Sequence, residues 1–314
     1  MDTILIVGVD SVVGANLAAT VSDKYRVVGL TISSDIAGID GCEIAACPGT
    51  SLESMRHCVA TTQPNWIVHC GPASHSAWQG ETEHKLSSID VTAAGQWARI
   101  AGELGIQFSL VSSDAALTGP WMFHTEESVS YCSSQAATTV RAIEDKVFEQ
   151  NPDAQVIRTN AYGWSPQSGS AGWIEGILAA LENEKHEHFD CLGHATPILA
   201  TDLAEILEQG YRAKLQGLFH AAGAERTNRT QFVARLAELF ELPSQHSETV
   251  ESPAHPASGF GAGETSLQST KIRKALGIAL PMLGEGLARL LGQQADGYQE
   301  RLIHAAPQLN DRVA

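Results

Sequence analysis

The sequence has few basic residues, and this scarcity excludes functions that depend on positive charge. Its 314 residues include 20 Lys and Arg against 36 Asp and Glu, which gives a formal net charge of −16. A protein that binds the nucleic-acid backbone needs Lys or Arg to replace the counterions of the phosphates. Attraction to an anionic membrane surface depends on the same charges. We therefore expect neither a nucleic acid nor a membrane as a partner.

The sequence also lacks a long apolar segment and paired cysteine spacing. No run approaches the roughly 20 apolar residues that span a bilayer. The first ten residues, MDTILIVGVD, contain an acid and no basic flank, so we expect no secretory signal. The six cysteines are scattered along the chain and favour free thiols; Cys42 and Cys47 fall in a segment that we interpret as irregular. These absences predict a cytoplasmic protein.

Short, mostly apolar runs alternate with stretches that suit helices. We predict buried strands at 3–8, 25–31, 66–70, 108–112 and 154–159, because a parallel strand covered on both faces needs such a run. The alternation predicts an α/β fold with a Rossmann-like doubly wound parallel sheet. We assign a Rossmann-like dinucleotide-binding domain to residues 1–160. A smaller α/β substrate-binding part takes 161–314, and a return of the chain to the main sheet around 196–225 stays open.

The first predicted strand and helix are joined by a candidate phosphate-binding loop. The strand ends at Gly8 and the helix begins near Gly14, so backbone N–H groups and the positive helix end face a place where a pyrophosphate fits. Ser11 stands where a middle glycine is usual, and its hydroxyl is a further possible donor. We predict cofactor contacts from Gly8, Ser11, Val12, Val13 and Gly14. The alternative is an ordinary strand-turn-helix of an α/β protein.

The end of the second predicted strand leaves the choice between NAD and NADP open. NAD binders usually place an acid there, and NADP binders place an arginine nearby. This chain has neither marker, since the stretch after Leu30 is Thr31, Ile32 and Ser33. We predict that Thr31 and Ser33 bond a ribose or a phosphate, with a solvated loop as the alternative.

Residues 108–145 carry a family resemblance. The segment Phe108–Asp114, FSLVSSD, resembles the strand and Ser-Thr/Ser-Asp motif of the reductases that complete dTDP-rhamnose synthesis, and Tyr131 falls where their tyrosine lies. Looser similarities follow in chain order at 64–70, 158–163, 196–204 and 217–223. The chain thus resembles the dTDP-4-dehydrorhamnose reductase-like members of the extended short-chain dehydrogenase/reductase family, which bind sugar nucleotides.

This resemblance implies a reductase site in which one residue has changed. In the family a Ser or Thr hydroxyl orients the substrate carbonyl, a tyrosine donates its proton, and NAD or NADP carries the hydride. The resemblance assigns the first two roles to Ser113 and Tyr131. A further set of cofactor contacts is expected beside them, at Cys70, Gly71 and Pro72. The family lysine, four residues after the tyrosine, is Gln135 here.

Gln135 can donate a hydrogen bond to a ribose but carries no charge. If the family lysine lowers the pKa of its tyrosine by two to three units, its loss costs roughly 3 to 4 kcal/mol, on the order of 10² to 10³ in rate. No other Tyr-x-x-x-Lys occurs. Lys146 would lie about 22 Å beyond Tyr131 on the helix that we expect to contain both. A structural helix tyrosine and a strand-end serine are the alternatives for Tyr131 and Ser113.

Two other groups of residues suggest ligands only weakly. Ligand-type side chains cluster at 186–191 with His194, but we interpret this segment as a solvated loop and predict no metal site. Trp121, Trp164 and Trp173 either stack on a nucleotide base or pack in the core.

Two functions fit the sequence. We favour a degenerate NAD(P)-binding reductase-like protein with a nucleotide-sugar-type pocket, impaired or lost hydride transfer, and a sensor or regulatory role. A non-catalytic regulatory subunit of methionine adenosyltransferase has this reductase-like fold, and the departures at Ser11, Ile32 and Gln135 point the same way. The alternative is an active NAD(P)H-dependent reductase of a nucleotide-linked keto-sugar that uses Tyr131 and Ser113. The sequence leaves open the ligand and the choice between a homodimer and a partner enzyme.

Overall fold

A parallel sheet organises the chain in the computed structural model, which describes residues 1–31, 38–47, 49–76, 78, 86–166, 172–183, 193–243 and 263–303. The strands are β1 (Thr3–Val7), β2 (Arg26–Thr31), β3 (Cys42–Ala46), β4 (Trp66–His69), β5 (Gln107–Ser113), β6 (Gln155–Thr159), β7 (Ala161–Tyr162), β8 (His194–Ala195), β9 (Ile198–Leu199), β10 (Gly217–His220) and β11 (Thr227–Asn228). Among the described residues, seven strands form the main sheet in the order β10-β6-β5-β4-β1-β2-β3, and all its pairs are parallel. The short strands form two separate ladders, β7 with β9 and β8 with β11.

Ten helices surround the sheet in the described part of the chain. They are α1 (Val12–Val21), α2 (Leu52–Thr62), α3 (Ser88–Leu104), α4 (Gln135–Gln150), α5 (Trp173–Glu182), α6 (Ala200–Arg212), α7 (Arg229–Leu239), α8 (Thr270–Leu276), α9 (Leu283–Ala295) and α10 (Tyr298–Leu302). None of these described helices has the length and apolar character needed to cross a bilayer.

The two faces of the sheet are covered by separate cores. In β1, Ile4 and Ile6 point into the core that contains Leu17 of α1 and Leu203 of α6. Leu5 and Val7 point into the opposite core with residues of α2, α3 and α4. Burying each such side chain contributes roughly 1.5 to 3 kcal/mol, which explains why the central strands are apolar on both faces. The predicted Rossmann-like doubly wound sheet is confirmed.

The strand order places a switch point between β1 and β4. From β1 the chain builds outward through β2 and β3 on one side, and from β4 it builds through β5 and β6 on the other. Helices leave the two sides on opposite faces, so a crevice opens at the carboxyl ends of β1 and β4, where ligands of such sheets bind. After β6 the chain leaves the sheet and comes back as β10, which pairs with β6.

One segment that we interpreted as irregular is a strand. Residues 42–46 form β3, which pairs in parallel with β2 at the edge of the sheet. Only Cys42 of this strand is buried, whereas its other residues are partly or fully exposed. The interpretation of this segment as irregular was therefore wrong. The strand was not recognised because an edge strand of this kind shows no continuous apolar run.

Helix α4 begins later than the sequence suggested. We expected Tyr131 and Lys146 on one helix, but α4 begins at Gln135. Ser134 caps it, because its hydroxyl accepts the N–H of Ala137 at 3.2 Å. Tyr131 instead lies in an extended segment that pairs with Leu117 in an antiparallel bridge. The strand-like pairing holds the backbone before the cap extended, so the expectation that Tyr131 is helical was wrong.

Candidate functional site

The loop between β1 and α1 has two positions that require glycine. Gly8 has a φ of +82°, and a Cβ there would lie 2.5 Å from the carbonyl oxygen of Cys70. A Cβ on Gly14 would lie 2.3 Å from the carbonyl oxygen of Gly8. Only glycine tolerates this backbone conformation and these approaches without strain. The loop therefore packs directly against the carboxyl end of β4.

Ser11 uses its hydroxyl within the loop. The hydroxyl donates to the carbonyl oxygen of Gly8 at 2.8 Å and accepts the N–H of Gly14 at 3.0 Å. It therefore caps α1 and is no longer available as the extra phosphate donor that we considered. The N–H groups of Val12 and Val13 find no acceptor among the described residues. They are orphan donors of the first helical turn, at the positive end of the helix, and this arrangement favours an anion.

Three of the other predicted cofactor contacts, Cys70, Gly71 and Pro72, follow the end of β4 beside this loop. Cys70 is fully buried, and the N–H of Gly71 donates to Nδ1 of His69 at 3.4 Å. Burial lowers the pKa of His69 to about 4. Pro72 begins a short 3₁₀ helix, Pro72–Ser74, that leaves the end of β4.

On the other side of the loop, Thr31 ends β2, and its carbonyl oxygen accepts the N–H of Cys47 at 2.9 Å. Ser33 lies outside the described residues, as does Ile32.

Ser113, the predicted partner of the substrate carbonyl, is fully buried at the end of β5. Its hydroxyl oxygen accepts the N–H of Ala115 at 3.1 Å, and the hydroxyl donates to Oδ1 of Asp114 at 3.4 Å. The Asp114 carboxylate also accepts hydrogen bonds from Asn160 at 2.8 Å and Thr265 at 2.7 Å. The polar capacity of Ser113 is thus taken up inside the protein.

Two arginine side chains interact with Tyr131. Tyr131 is 40% exposed, and the guanidinium of Arg141 covers its ring at 4.4 Å from the ring centroid. The buried Arg158 also interacts with the side chain of the tyrosine. Neither arginine occupies the position of the family lysine.

The charge of Arg158 is balanced by Glu144 of α4. Nε of Arg158 donates to Oε1 of Glu144 at 2.9 Å, and Nη2 donates to Oε2 at 2.6 Å. Ser112 donates to the same carboxylate at 2.5 Å. Burial alone would lower the pKa of Arg158, but the carboxylate of Glu144 outweighs it and raises the pKa. This pair was not predicted from the sequence, although charged residues in a buried strand and on a buried helix face are unusual.

Gln135 is the first residue of α4 and is exposed. Its side-chain amide has no hydrogen-bond partner among the residues that the structure describes. Because Tyr131 lies outside the helix, the spacing of four residues does not place the two side chains one helical turn apart. The structure therefore separates the predicted site into a phosphate loop with free donors and a catalytic part in which the Ser113 hydroxyl is bonded inside the protein.

The segment that carries Tyr131 is anchored to the edge of the sheet. The carboxylate of Glu126 accepts the N–H of His220 at 2.9 Å. The carbonyl oxygen of His124 lies 3.0 Å from Nδ1 of His220, and because a carbonyl only accepts, Nδ1 carries the proton. Burial, followed by the nearby Arg158, lowers the pKa of His220 to about 3.

The remaining candidates separate into core and surface residues. Trp164 is fully buried, and Trp173 packs against Phe232 with ring centroids 5.5 Å apart. Trp121 is 71% exposed. The histidine-rich segment 186–191 lies outside the described residues, and His194 lies in β8.

Several known proteins are similar to this chain. The family model of the RmlD substrate binding domain matches residues 1–295. The methionine adenosyltransferase 2 subunit beta of Rattus norvegicus is 24% identical over 208 residues, which cover 64% of this chain and 62% of that protein. The chain therefore matches less than two thirds of the length of this curated relative.

Two solved structures share the fold. The dTDP-4-dehydrorhamnose reductase of Bacillus anthracis, in complex with NADP, has a TM-score of 0.77 and 14% identity, with 93% of this chain and 99% of that chain covered. The UDP-glucose 4-epimerase of Thermotoga maritima, with UDP-glucose, has a TM-score of 0.74 and 15% identity, with 94% and 99% covered.

Proposed function

The chain belongs to the family of the RmlD substrate binding domain, and from this premise we propose a degenerate, NAD(P)-binding reductase-like protein with impaired or lost hydride transfer. Membership confirms the resemblance to the extended short-chain dehydrogenases inferred from residues 108–145. The proposal places the dinucleotide at the crevice between β1 and β4, keeps a nucleotide-sugar-type pocket and gives the protein a sensor or regulatory role.

The observation that carries the proposal is the state of the catalytic hydroxyl groups. Ser113 is fully buried and bonded to Ala115 and Asp114. Tyr131 is flanked by Arg141 and Arg158. Arg141 covers the ring face, and the charge of Arg158 is balanced by Glu144 at 2.6 Å. With a neutral side chain at Gln135, the chain lacks the lysine that activates the tyrosine in the family.

The phosphate loop, in contrast, fits a dinucleotide. Gly8 and Gly14 have no side chain, so no Cβ covers the loop backbone at these two positions. The N–H groups of Val12 and Val13 are available for a pyrophosphate. The dinucleotide, when bound, supplies hydride chemistry. The residues of this chain would hold its phosphates at Gly8–Gly14 and border it with Cys70, Gly71 and Pro72, but they supply no matched proton donor. Thr31 and Ser33 remain the proposed contacts at the ribose end.

A regulatory role needs a partner, and exposed apolar side chains in the segment before Tyr131 support one. Trp121 is 71% exposed, Met122 60% and Val129 81%. Exposed aromatic side chains on a well-anchored segment are typical of protein interfaces. The curated relatives are named as beta subunits of a methionine adenosyltransferase, so we propose a partner enzyme of this kind, with a homodimer as the other arrangement. The free thiols of the five described cysteines favour the cytoplasm.

The test measures two properties of the protein, the binding of the cofactor and the turnover of a substrate. Fluorescence titration with NADH and NADPH is expected to give saturable binding, whereas dTDP-4-dehydrorhamnose with either cofactor is expected to give no turnover. Turnover at about 1 s⁻¹ or more, which is ordinary for an enzyme, would refute the proposal and favour the active reductase that uses Tyr131 and Ser113. Absence of cofactor binding up to millimolar concentration would refute the binding part.

The Gln135→Lys variant measures how far the catalytic site has changed. Because α4 begins at residue 135 and Tyr131 lies outside it, we expect the lysine alone not to restore turnover. The Gln150→Lys variant, at the other end of α4, is the matched control for the added charge. Turnover restored by Gln135→Lys and not by Gln150→Lys would locate the whole defect at one residue.

A further inference from the structure

We propose that the loop of residues 117–131 docks into an apolar groove of the partner enzyme and that Lys or Arg side chains border this groove. The partner is a different protein and not a second copy of this chain. This inference rests on the proposed regulatory function and deepens it, because it assigns the docking element and the chemistry of the partner's surface.

The loop exposes large apolar side chains close together in the chain. Trp121 is 71% exposed, Met122 60%, Phe123 39%, Val129 81% and Tyr131 40%. Together they present roughly 500 Å² of surface, since a whole aromatic side chain has about 200 Å². One partner in a standard interface contributes about 800 Å², of which slightly more than half is apolar. The loop alone therefore offers the apolar area that one side of a stable interface needs.

The backbone of the loop is fixed at its ends and in its middle. At the ends, Leu117 pairs with Tyr131 in an antiparallel bridge. In the middle, Ser266 accepts the N–H of Phe123 on Oγ and the N–H of His124 on its carbonyl oxygen, both at 2.8 Å. Phe123 has a φ of +56°, a left-handed conformation that strains a bulky residue. Because the bonds around it hold this strained backbone in place, the loop is preorganised and loses little conformational entropy on docking.

Charge distinguishes a different protein from a second copy of this chain. Residues 115–134 include Glu126 and Glu127 but no Lys or Arg, and Glu127 is exposed. Arg141 lies at the base of the loop, over Tyr131. Two copies with a net charge of −16 each repel one another, and a net charge far from zero favours the monomer. The same charge attracts a partner whose groove is bordered by cations.

Isothermal titration calorimetry tests the apolar contact, with the full chain and the catalytic methionine adenosyltransferase subunit of the same organism as the probe. Trp121→Ser should raise the dissociation constant about 30-fold or more, and Val129→Ser about threefold or more, with the circular dichroism of the folded chain retained. Leu104→Ser is the matched control, because Leu104 is 57% exposed and should leave the dissociation constant unchanged. Leu104 precedes β5 and the loop follows it, so the length of this seven-residue strand, about 23 Å, separates the two.

A charge reversal tests the cationic border. Glu127→Lys should raise the dissociation constant about threefold or more, and an increase from about 0.05 to about 0.5 M NaCl should weaken binding of the parent. Asp23→Lys is the control, because Asp23 is exposed in the turn before β2, at the opposite edge of the sheet, and should keep the parent affinity at low salt to within about twofold.

The outcomes separate this inference from the proposed function. If Trp121→Ser and Val129→Ser bind the enzyme as tightly as the parent, the loop is not the docking element, although the proposed partnership stands. Equal affinities of Glu127→Lys and the parent would overturn the cationic border. No binding of the parent at about 0.1 mM would overturn the proposed partner together with the inference. Self-association of the parent in sedimentation experiments, abolished by Trp121→Ser, would show that a second copy covers the loop and would overturn the inference.

Discussion

His220 makes the stability of the fold sensitive to acid. It ends β10, is fully buried, and donates from Nδ1 to the carbonyl oxygen of His124. It lies in register with Arg158 on β6, so the two side chains share one face of the sheet. Burial and the charge of Arg158, with smaller contributions from His124 and Lys271, lower the pKa of His220 to about 3. The carboxylate of Glu126, which accepts the N–H of His220, faces it from the anchored segment.

The sign and size of the effect follow from proton linkage. The ordinary pKa of histidine is about 6.5. Between pH 6.5 and pH 3 the unfolded chain binds the proton and the folded chain does not, so stability is complete above pH 6.5 and is lost as the pH falls. The slope is about 1.4 kcal/mol per pH unit, which gives about 2 kcal/mol between pH 6.5 and pH 5. His69, whose pKa burial lowers to about 4, adds a loss of similar size in this window.

The His220→Asn variant isolates this contribution. Asparagine keeps a donor for the carbonyl oxygen of His124 but does not titrate. Urea unfolding at 25 °C, measured at pH 7, 6, 5.5 and 5, should give a pH slope that is smaller than the parent slope by about 1.4 kcal/mol per unit. His57→Asn removes an exposed imidazole from α2 and should keep the parent slope. Equal slopes for the parent and His220→Asn would refute the reasoning, whatever the absolute stabilities.

Three further predictions test the described packing and the exposed surface. Gly14→Ala should lower the free energy of unfolding by about 1 to 3 kcal/mol, because its Cβ would lie 2.3 Å from a carbonyl oxygen. The control Gly284→Ala meets open space in α9 and should raise the free energy of unfolding by up to about 1 kcal/mol, and urea unfolding of both variants tests the two expectations. Glu144→Gln leaves the buried Arg158 without its counter-charge and should cost about 3 to 5 kcal/mol in the same assay, and a loss below about 1 kcal/mol would contradict the ion-pair account. Trp121 is exposed, so Trp121→Ser should change the free energy of unfolding by less than about 0.5 kcal/mol. The same variant should weaken association with the partner enzyme, measured by calorimetry, by about 2 kcal/mol or more, and unchanged association would show that Trp121 is not part of the interface.

The core of the fold could be predicted from sequence because its pattern is local. Residues 3–8 form one apolar run, and a strand buried on both faces needs such a run, so β1 was predicted to within one residue. The same rule failed for β3, whose partly exposed edge position demands no apolar run. The two-residue strands such as Ala161–Tyr162 are too short to leave a pattern.

The candidate site was predictable only in its residue types. The glycine spacing of the phosphate loop is visible in the sequence, because the close approaches at Gly8 and Gly14 exclude any other residue. The use of the Ser113 hydroxyl is not visible, because its partner Asp114 is itself fixed by Asn160 and Thr265, residues far along the chain. Helix α4 starts late for the same kind of reason: the pairing of Tyr131 with Leu117 is a tertiary contact that no helical pattern reveals.

The pairing of β10 with β6 has a consequence for how the molecule folds. A chain that ended near residue 160 would leave β6 as an open edge, with unpaired N–H and C=O groups that favour association with other chains. The pairing closes a long loop, so its entropic cost must be met before its hydrogen bonds contribute, and such contacts slow folding. We therefore expect that fragments of the first 160 residues aggregate, and that the sheet becomes complete only after residue 220 has left the ribosome.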